Sequence, residues 1–131
     1  MNCIGAVLKS MVERKSGHIV NITSDAGRKA FAGLAVYSGT KFFLEGMASA
    51  LRQEVAKYNV RVTNVQPGDV ATKLAEKSTD QEARQLYDGT VSGDEYALSA
   101  ASVADLVLVA LQQPPGVALN ELLVEPTCAP I

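Results

Sequence analysis

The chain has 131 residues, of which 47% are hydrophobic and 20% charged, so its length and composition are those of one globular domain with a buried core. Its net charge of -2 argues against a nucleic-acid partner, because binding to phosphates requires a basic surface. No apolar run is long enough to cross a membrane, and residues 1–9 lack the basic start and the cleavage site of a signal peptide. A cytoplasmic location is therefore expected.

The two cysteines stand near opposite ends of the chain, at Cys3 and Cys128. They form no CxxC pair and no Cys/His pattern with the spacing of a zinc site. The sequence therefore favours two reduced thiols over a disulfide, and it predicts no metal site.

Hydrophobic periodicity and turn residues divide the chain into alternating helices and strands. The predicted elements are a helix over 3–15, a strand over 18–23, a helix over 34–58, a strand over 61–66, a polar surface lobe over 73–97, a helix over 100–113 and a strand over 119–124. Alternation of this kind predicts a parallel sheet with right-handed crossovers. The expected fold is thus α/β, a single domain over 1–131 with about three strands and flanking helices.

The segment 34–58 carries the strongest helical signal. Its apolar stripe consists of Val36, Thr40, Leu44, Met47, Leu51 and Val55, whereas Tyr37, Lys41 and Glu45 share a different face. A glycine inside a helix costs about 1 kcal/mol relative to alanine, so Gly46 indicates that another backbone approaches the helix closely there.

Tyr37 and Lys41 lie four residues apart, so their side chains emerge from one face of the helix. A tyrosine whose pKa is near 10 is a poor base, but a neighbouring ammonium favours the phenolate and makes proton exchange with an alcohol or carbonyl oxygen feasible. Such a pair alone is weak evidence, since it arises by chance in about one chain in five at ordinary residue usage. His18 is interpreted as a strand residue rather than a base, and Asp25 as a loop residue that could border a substrate.

Two further motifs give the pair a context. Ser24 stands at the end of the first predicted strand, in Val20-Asn21-Ile22-Thr23-Ser24, and the second strand ends in Asn64-Val65-Gln66-Pro67-Gly68-Asp69-Val70-Ala71-Thr72. Ligands bind at strand ends in parallel α/β sheets. The ordered set of a serine, Tyr-x-x-x-Lys and Asn-x-x-Pro-Gly-x-Val-x-Thr resembles the short-chain dehydrogenase/reductase family over about 16–72, and 99–124 agrees with the last helix and strand of that family.

The resemblance implies NAD(P)-dependent interconversion of an alcohol and a carbonyl in a partial Rossmann-like, doubly wound sheet. Tyr37 would be the acid/base, Ser24 would hydrogen-bond the substrate oxygen, and Lys41 would lower the tyrosine pKa and bind the nicotinamide ribose. Cofactor-binding residues would also include Pro67, Gly68, Val70 and Thr72. The cofactor would be NAD or NADP, with NADP slightly favoured, and the partner a small molecule. The end of the chain looks most like the group that oxidises 3-hydroxy acids and reduces assorted carbonyls. A homo-oligomer through the 34–58 helix is expected.

The sequence also departs from the family pattern. No glycine-rich turn of the type G-x-G-x-x-G is present, and Asn2 lies too close to Ser24 to be the asparagine that the family carries before the serine strand. We therefore expect a family member that lacks its N-terminal dinucleotide-binding half. The alternative is a non-catalytic remnant that acts as an interaction module or has no function.

Overall fold

Three strands and four α-helices make up the part of the chain that the computed structural model describes, residues 1–74, 77–88 and 96–128. The helices are α1 (Asn2–Glu13), α2 (Ala35–Val55), α3 (Gln81–Asp88) and α4 (Ala100–Leu111), and the strands are β1 (Gly17–Ile22), β2 (Val60–Pro67) and β3 (Glu121–Val124). The sheet order is β1-β2-β3, and both strand pairs are parallel. This arrangement confirms the predicted class, a partial doubly wound parallel sheet with flanking helices.

Helices α1 and α2 cover one face of the sheet. Alternate residues of a strand point to opposite faces, so Ile19 of β1 and Val62 of β2 present β-branched side chains to the helices. The buried cluster consists of Ile19, Ala48, Leu51, Val55, Val60 and Val62, with Ile4, Leu8, Met11 and Tyr58 packed against it. Apolar burial of this kind is the main force that fixes α2 on the sheet.

Helix α4 packs against β2 on the second face. Its side chains Val103 and Ala110 are buried, and Ser99 caps the helix by accepting a hydrogen bond from the Ser102 N–H at 3.0 Å. On the same face, the Arg61 guanidinium donates to the carbonyl oxygens of Gln113 and Val117, each at 3.2 Å. These bonds tie β2 to the loop that follows α4.

The predicted helix over 34–58 is an α-helix only as far as Val55. Residues 56–58 tighten into a 3-10 turn, and Asn59 adopts a left-handed φ of 55° that directs the chain into β2. Asparagine tolerates this region better than most residues. The apolar stripe is also buried only in its second half, since Val36 is 82% exposed and the buried residue in the first half is Ser38.

The expected close approach at Gly46 is wrong. A Cβ built on Gly46 meets no atom within 4 Å in the described part of the chain, because this residue lies on the outer face of α2. That outer face also exposes Phe42 by 44% and Phe43 by 55%. The homo-oligomer expected through this helix stays a prediction.

Helix α3 replaces part of the lobe expected over 73–97. The sequence indicates weak helical character over 82–87, and the structure has an amphipathic helix over Gln81–Asp88. Residues 75–76 and 89–95 of the lobe lie outside the described residues. Among the described helices, none is long and apolar enough to cross a membrane.

His18 forms a hydrogen-bond chain across the sheet. Its Nε2 lies 2.7 Å from the Thr63 hydroxyl, which donates to the Leu119 carbonyl at 2.6 Å. The hydroxyl hydrogen is thereby used, so Nε2 carries the proton and donates, while the buried Nδ1 has no partner among the described residues. Burial, and secondarily the charge of Arg61, lower the pKa of His18.

The lowered pKa of His18 predicts that the chain loses stability in acid. Between the folded pKa and the unfolded value near 6.5, the unfolded chain binds a proton that the folded chain does not. The free energy of unfolding, measured in urea, should therefore be greatest above the unfolded pKa and should fall as the pH drops below about 6.5. His18→Gln retains an amide donor for Thr63 and should have a flatter profile. An equal slope in both proteins would show that His18 is not responsible.

Candidate active site

The carboxyl ends of the three strands meet at one edge of the sheet. Backbone bonds hold them together, because the Thr23 N–H donates to the Val65 carbonyl at 2.7 Å and the Gly68 N–H donates to the Val124 carbonyl at 2.8 Å. A Cβ built on Gly68 would lie 3.6 Å from Asp25 Oδ2, so the turns that follow β1 and β2 are neighbours. Ser24 and the Pro67-Gly68 pair thus lie at the same edge, as the topology of a parallel sheet requires.

Ser24 is the N-cap of a short 3-10 turn over Asp25–Gly27. The residue is 6% exposed, and its hydroxyl donates to Asp25 Oδ1 at 2.8 Å while it accepts the Ala26 N–H at 3.2 Å. A hydroxyl oxygen has two lone pairs, so one remains for another donor. The turn therefore fixes the position of Ser24 Oγ and leaves it one acceptor site.

Lys41 connects α2 to the end of β1. Its Nζ donates to the Ile22 carbonyl at 3.2 Å and lies 5.4 Å from the centroid of the Tyr37 ring. Burial lowers the pKa of Lys41, and the carboxylate of Glu45 acts in the opposite direction. An ammonium has three donors, so Lys41 can contact further groups at this edge.

Gly27 allows the serine turn to lie directly on α2. A Cβ built on Gly27 would lie 3.2 Å from both the carbonyl carbon and the carbonyl oxygen of Lys41, and 3.0 Å from Cγ of Glu45. Only a residue without a side chain fits this contact without displacing its neighbours. The turn that carries Ser24 and the helix that carries Tyr37 and Lys41 are therefore in direct contact.

The segment after β2 is fixed at its start. Pro67 is buried, and Val70 forms an isolated parallel bridge with Leu98. In that bridge the Ala71 N–H donates to the Leu98 carbonyl and the Leu98 N–H donates to the Asp69 carbonyl, each at 2.9 Å. Thr72 is exposed, and its hydroxyl accepts the Leu74 N–H at 3.4 Å.

Sequence reasoning assigned no role to a buried polar group next to this edge. Asn21 Nδ2 donates to Asn64 Oδ1 at 3.0 Å, and Asn64 Nδ2 donates to Glu45 Oε2 at 2.6 Å. The sequence indicated this group only through Glu45, which lies on the same face of the helix as Tyr37 and Lys41. Its partners on the strands could not be identified without the strand register, which pairs Asn21 with Asn64.

A second polar group ties the serine turn to the rest of the sheet. Arg28 donates to the buried Gln66 side chain at 3.0 Å and pairs with Glu121 at 3.3 Å. Glu121 also pairs with Arg52 of α2 at 3.1 Å. Surface pairs of this kind contribute little stability, so their main effect is to restrain orientation. Among the described residues, no cluster of histidine, cysteine and carboxylate side chains could hold a metal ion.

Comparison with known proteins assigns the family. The model of the short chain dehydrogenase family matches residues 1–83. The chain is 48% identical over its whole length to the glycine betaine reductase ATRR of Emericella nidulans, of which it spans 10%. It is 38% identical to an uncharacterized oxidoreductase of Listeria monocytogenes, and the match covers 99% of this chain and 52% of that protein. The chain belongs to the short-chain dehydrogenase family.

Solved structures agree with the assignment. The closed form of serine dehydrogenase complexed with NADP+ superimposes with a TM-score of 0.75 at 36% identity, over 92% of this chain and 48% of that one. A 3-oxoacyl-[acyl-carrier protein] reductase with bound NAD from Brucella melitensis gives 0.72 at 26% identity, over 95% and 45%. The chain therefore spans about half the length of these structures and of the Listeria relative.

Proposed function

We propose that the chain carries the catalytic residues of an oxidoreductase that interconverts an alcohol and a carbonyl, with Tyr37 as the acid/base. The observation that supports this most is the position of the Lys41 ammonium, 5.4 Å from the Tyr37 ring and hydrogen-bonded to the last residue of β1. The contact places a cation over the ring of the proposed acid/base. Ser24 begins the turn that packs on α2 at Lys41, so a substrate oxygen could contact both hydroxyl groups.

In this mechanism Tyr37 accepts the proton of an alcohol or returns one to a carbonyl oxygen, while Ser24 orients that oxygen. The Ser24 hydrogen is directed at Asp25 Oδ1 in the structure. Because the one hydrogen of an alcohol goes to Tyr37, Ser24 would orient the alcohol oxygen by turning its own hydrogen towards it. A carbonyl would require the hydroxyl hydrogen to rotate away from Asp25. The low rotational barrier of a hydroxyl makes this change cheap compared with movement of the turn.

The nicotinamide end of the cofactor would lie against the turn that follows β2. Pro67 is buried, and the half-buried Gly68 packs against Glu125, Pro126 and Asp25, so a planar ring would lie on the backbone of this turn that stays exposed. Lys41 has further N–H donors with which to bind ribose hydroxyl groups, and Val70 and Thr72 would lie beyond the turn. NAD or NADP, when bound, would supply or accept the hydride; the described residues favour neither form.

The substrate that we propose is a small molecule with a positively charged nitrogen. Asp25 Oδ1 is bonded to Ser24 and Ala26, whereas Oδ2 forms no hydrogen bond with the described residues and lies beside Gly68. A carboxylate in this position favours a cation next to the reacting oxygen. The names of two relatives, glycine betaine reductase and serine dehydrogenase, each indicate a compound that contains a cationic nitrogen.

Transfer of deuteride from labelled NADH and NADPH to a carbonyl tests this function in the whole protein. Betaine aldehyde should be reduced with a kcat/KM about tenfold higher than that of tert-butylacetaldehyde, its neutral isostere. Only the charged aldehyde can form an ion pair with Asp25. The preference should disappear in Asp25→Asn. Equal rates for the two aldehydes would contradict the substrate class, and no transfer to any carbonyl or from any alcohol would favour the non-catalytic alternative.

A further inference from the structure

A buried polar chain connects the catalytic helix to the two strands beneath it. Glu45 of α2 accepts a hydrogen bond from Asn64 of β2 at 2.6 Å, and Asn64 accepts one from Asn21 of β1 at 3.0 Å. Asn64 has no exposed surface. The 2.6 Å bond is short for an N–H donor, as charge-assisted hydrogen bonds are.

The carboxylate of Glu45 is only half satisfied. Its Oε1 is buried and has no hydrogen-bond partner among the described residues, although buried charged groups are normally fully paired. A glutamine could also accept a hydrogen bond from Asn64, and it would do so without burying a charge. The hydrogen bond between the helix and the sheet therefore does not by itself explain why a carboxylate stands at this position.

The negative charge of Glu45 has a nearby cation to act on. Glu45 follows Lys41 by four residues, which places the two side chains on one face of the helix. We propose that Glu45 is the counter-charge of Lys41 and a positioning residue for the active site, held by Asn64 and Asn21. Burial lowers the pKa of Lys41, and the charge of Glu45 opposes that change, so that the ammonium stays protonated at higher pH.

The other groups that face this region do not replace Glu45. From α2 itself, Tyr37 presents its ring to Lys41, and from β1 the Ile22 carbonyl accepts one ammonium hydrogen. From the serine turn, Asp25 Oδ1 is already bonded to the Ser24 hydroxyl and the Ala26 N–H. From β2, Asn64 is neutral. Gly27 packs against both Lys41 and Glu45, so the serine turn places no side chain in the space beside them at this position.

The titration of the Lys41 ammonium tests this proposal without cofactor or substrate. The side-chain carbon and nitrogen signals of Lys41, assigned by comparison with Lys41→Arg, would be followed by NMR against pH. Glu45→Gln keeps the bond to Asn64 and removes the charge, so the pKa of Lys41 should fall. Glu54→Gln, at an exposed site on the same helix, should leave it unchanged. Glu45→Met is a second neutral variant, without an amide, and should also lower the pKa of Lys41. Glu45→Asp retains the charge, so the pKa of Lys41 should fall less than in Glu45→Gln.

Turnover gives a second measurement that rests on the proposed function. In the whole protein, the alkaline limb of the kcat profile should move to lower pH in Glu45→Gln and stay in place in Glu54→Gln, while the melting temperature of both remains close to that of the unaltered protein. A Lys41 pKa that is equal in the unaltered protein and in either folded neutral variant would overturn the proposal. A protein that transfers no hydride would refute the proposed function alone, because the NMR titration still decides the role of Glu45.

Discussion

Tyr37→Phe is expected to remove nearly all turnover of the whole protein and to leave its fold and cofactor binding intact. The tyrosine hydroxyl forms no hydrogen bond with the described residues, and the ring faces Lys41 at 5.4 Å, a contact that phenylalanine keeps. The substitution therefore deletes proton transfer and little else. Because general acid–base catalysis contributes roughly a hundredfold to ten-thousandfold, kcat should fall by a factor in that range.

Steady-state kinetics and cofactor titration measure this effect, and a second tyrosine serves as the control. Tyr58 packs on the core from the 3-10 turn that follows α2, and its ring also lies near a lysine, Lys57, at 5.1 Å. Tyr58→Phe should keep kcat within about twofold, because that ring is far from the strand ends where chemistry is proposed. If Tyr37→Phe retained more than about one tenth of kcat, Tyr37 would not be the acid/base.

Gly27→Val is expected to destabilise the fold and to lower turnover together. The first carbon of the new side chain would lie 3.2 Å from the Lys41 carbonyl, which is helix backbone and cannot rotate away. Overpacking of this kind costs about 1–3 kcal/mol. The turn must then move away from α2 and carry Ser24 with it, and a displacement of about 1 Å at a catalytic group can cost roughly a hundredfold in rate.

Gly5→Val in α1 is the matched control for this substitution. A Cβ built on Gly5 meets nothing within 4 Å in the described part of the chain. Urea unfolding should therefore give a free energy within about 0.5 kcal/mol of the unaltered chain, with unchanged turnover. Unfolding free energies that fall equally in both variants would show that the contact between the serine turn and α2 is not the cause.

The sequence was enough to predict the order of the elements. It also predicted the edge of the sheet that carries Ser24, Tyr37 and Lys41. Alternation of helical and strand periods determines a parallel sheet, and strand ends in such a sheet meet at one edge. The helix boundary at Val55 was harder to predict, because the 3-10 turn and the left-handed Asn59 follow from the geometry of entry into β2.

Two contacts of the site depend on tertiary packing and left only ambiguous signals in the sequence. Gly46 and Gly27 are both glycines near the proposed catalytic residues, yet the first is open and the second contacts the helix backbone. Helical periodicity cannot show which glycine faces another element. In the same way, Glu45 could be placed on the Lys41 face from its spacing, but its bond to Asn64 depends on how far α2 is rotated over the sheet.

The bridge between Val70 and Leu98 has a consequence for how the segment between β2 and α4 can change during evolution. Its two hydrogen bonds join the residues that follow β2 to the residue that precedes the N-cap of α4. Both ends of the segment between β2 and α4 therefore stay fixed whatever its length. Closing a loop twice as long costs only about 0.6 kcal/mol more. Insertions, deletions and whole-segment exchange can therefore accumulate between these two anchor points, and Ser24, Tyr37 and Lys41 need not move to accommodate them.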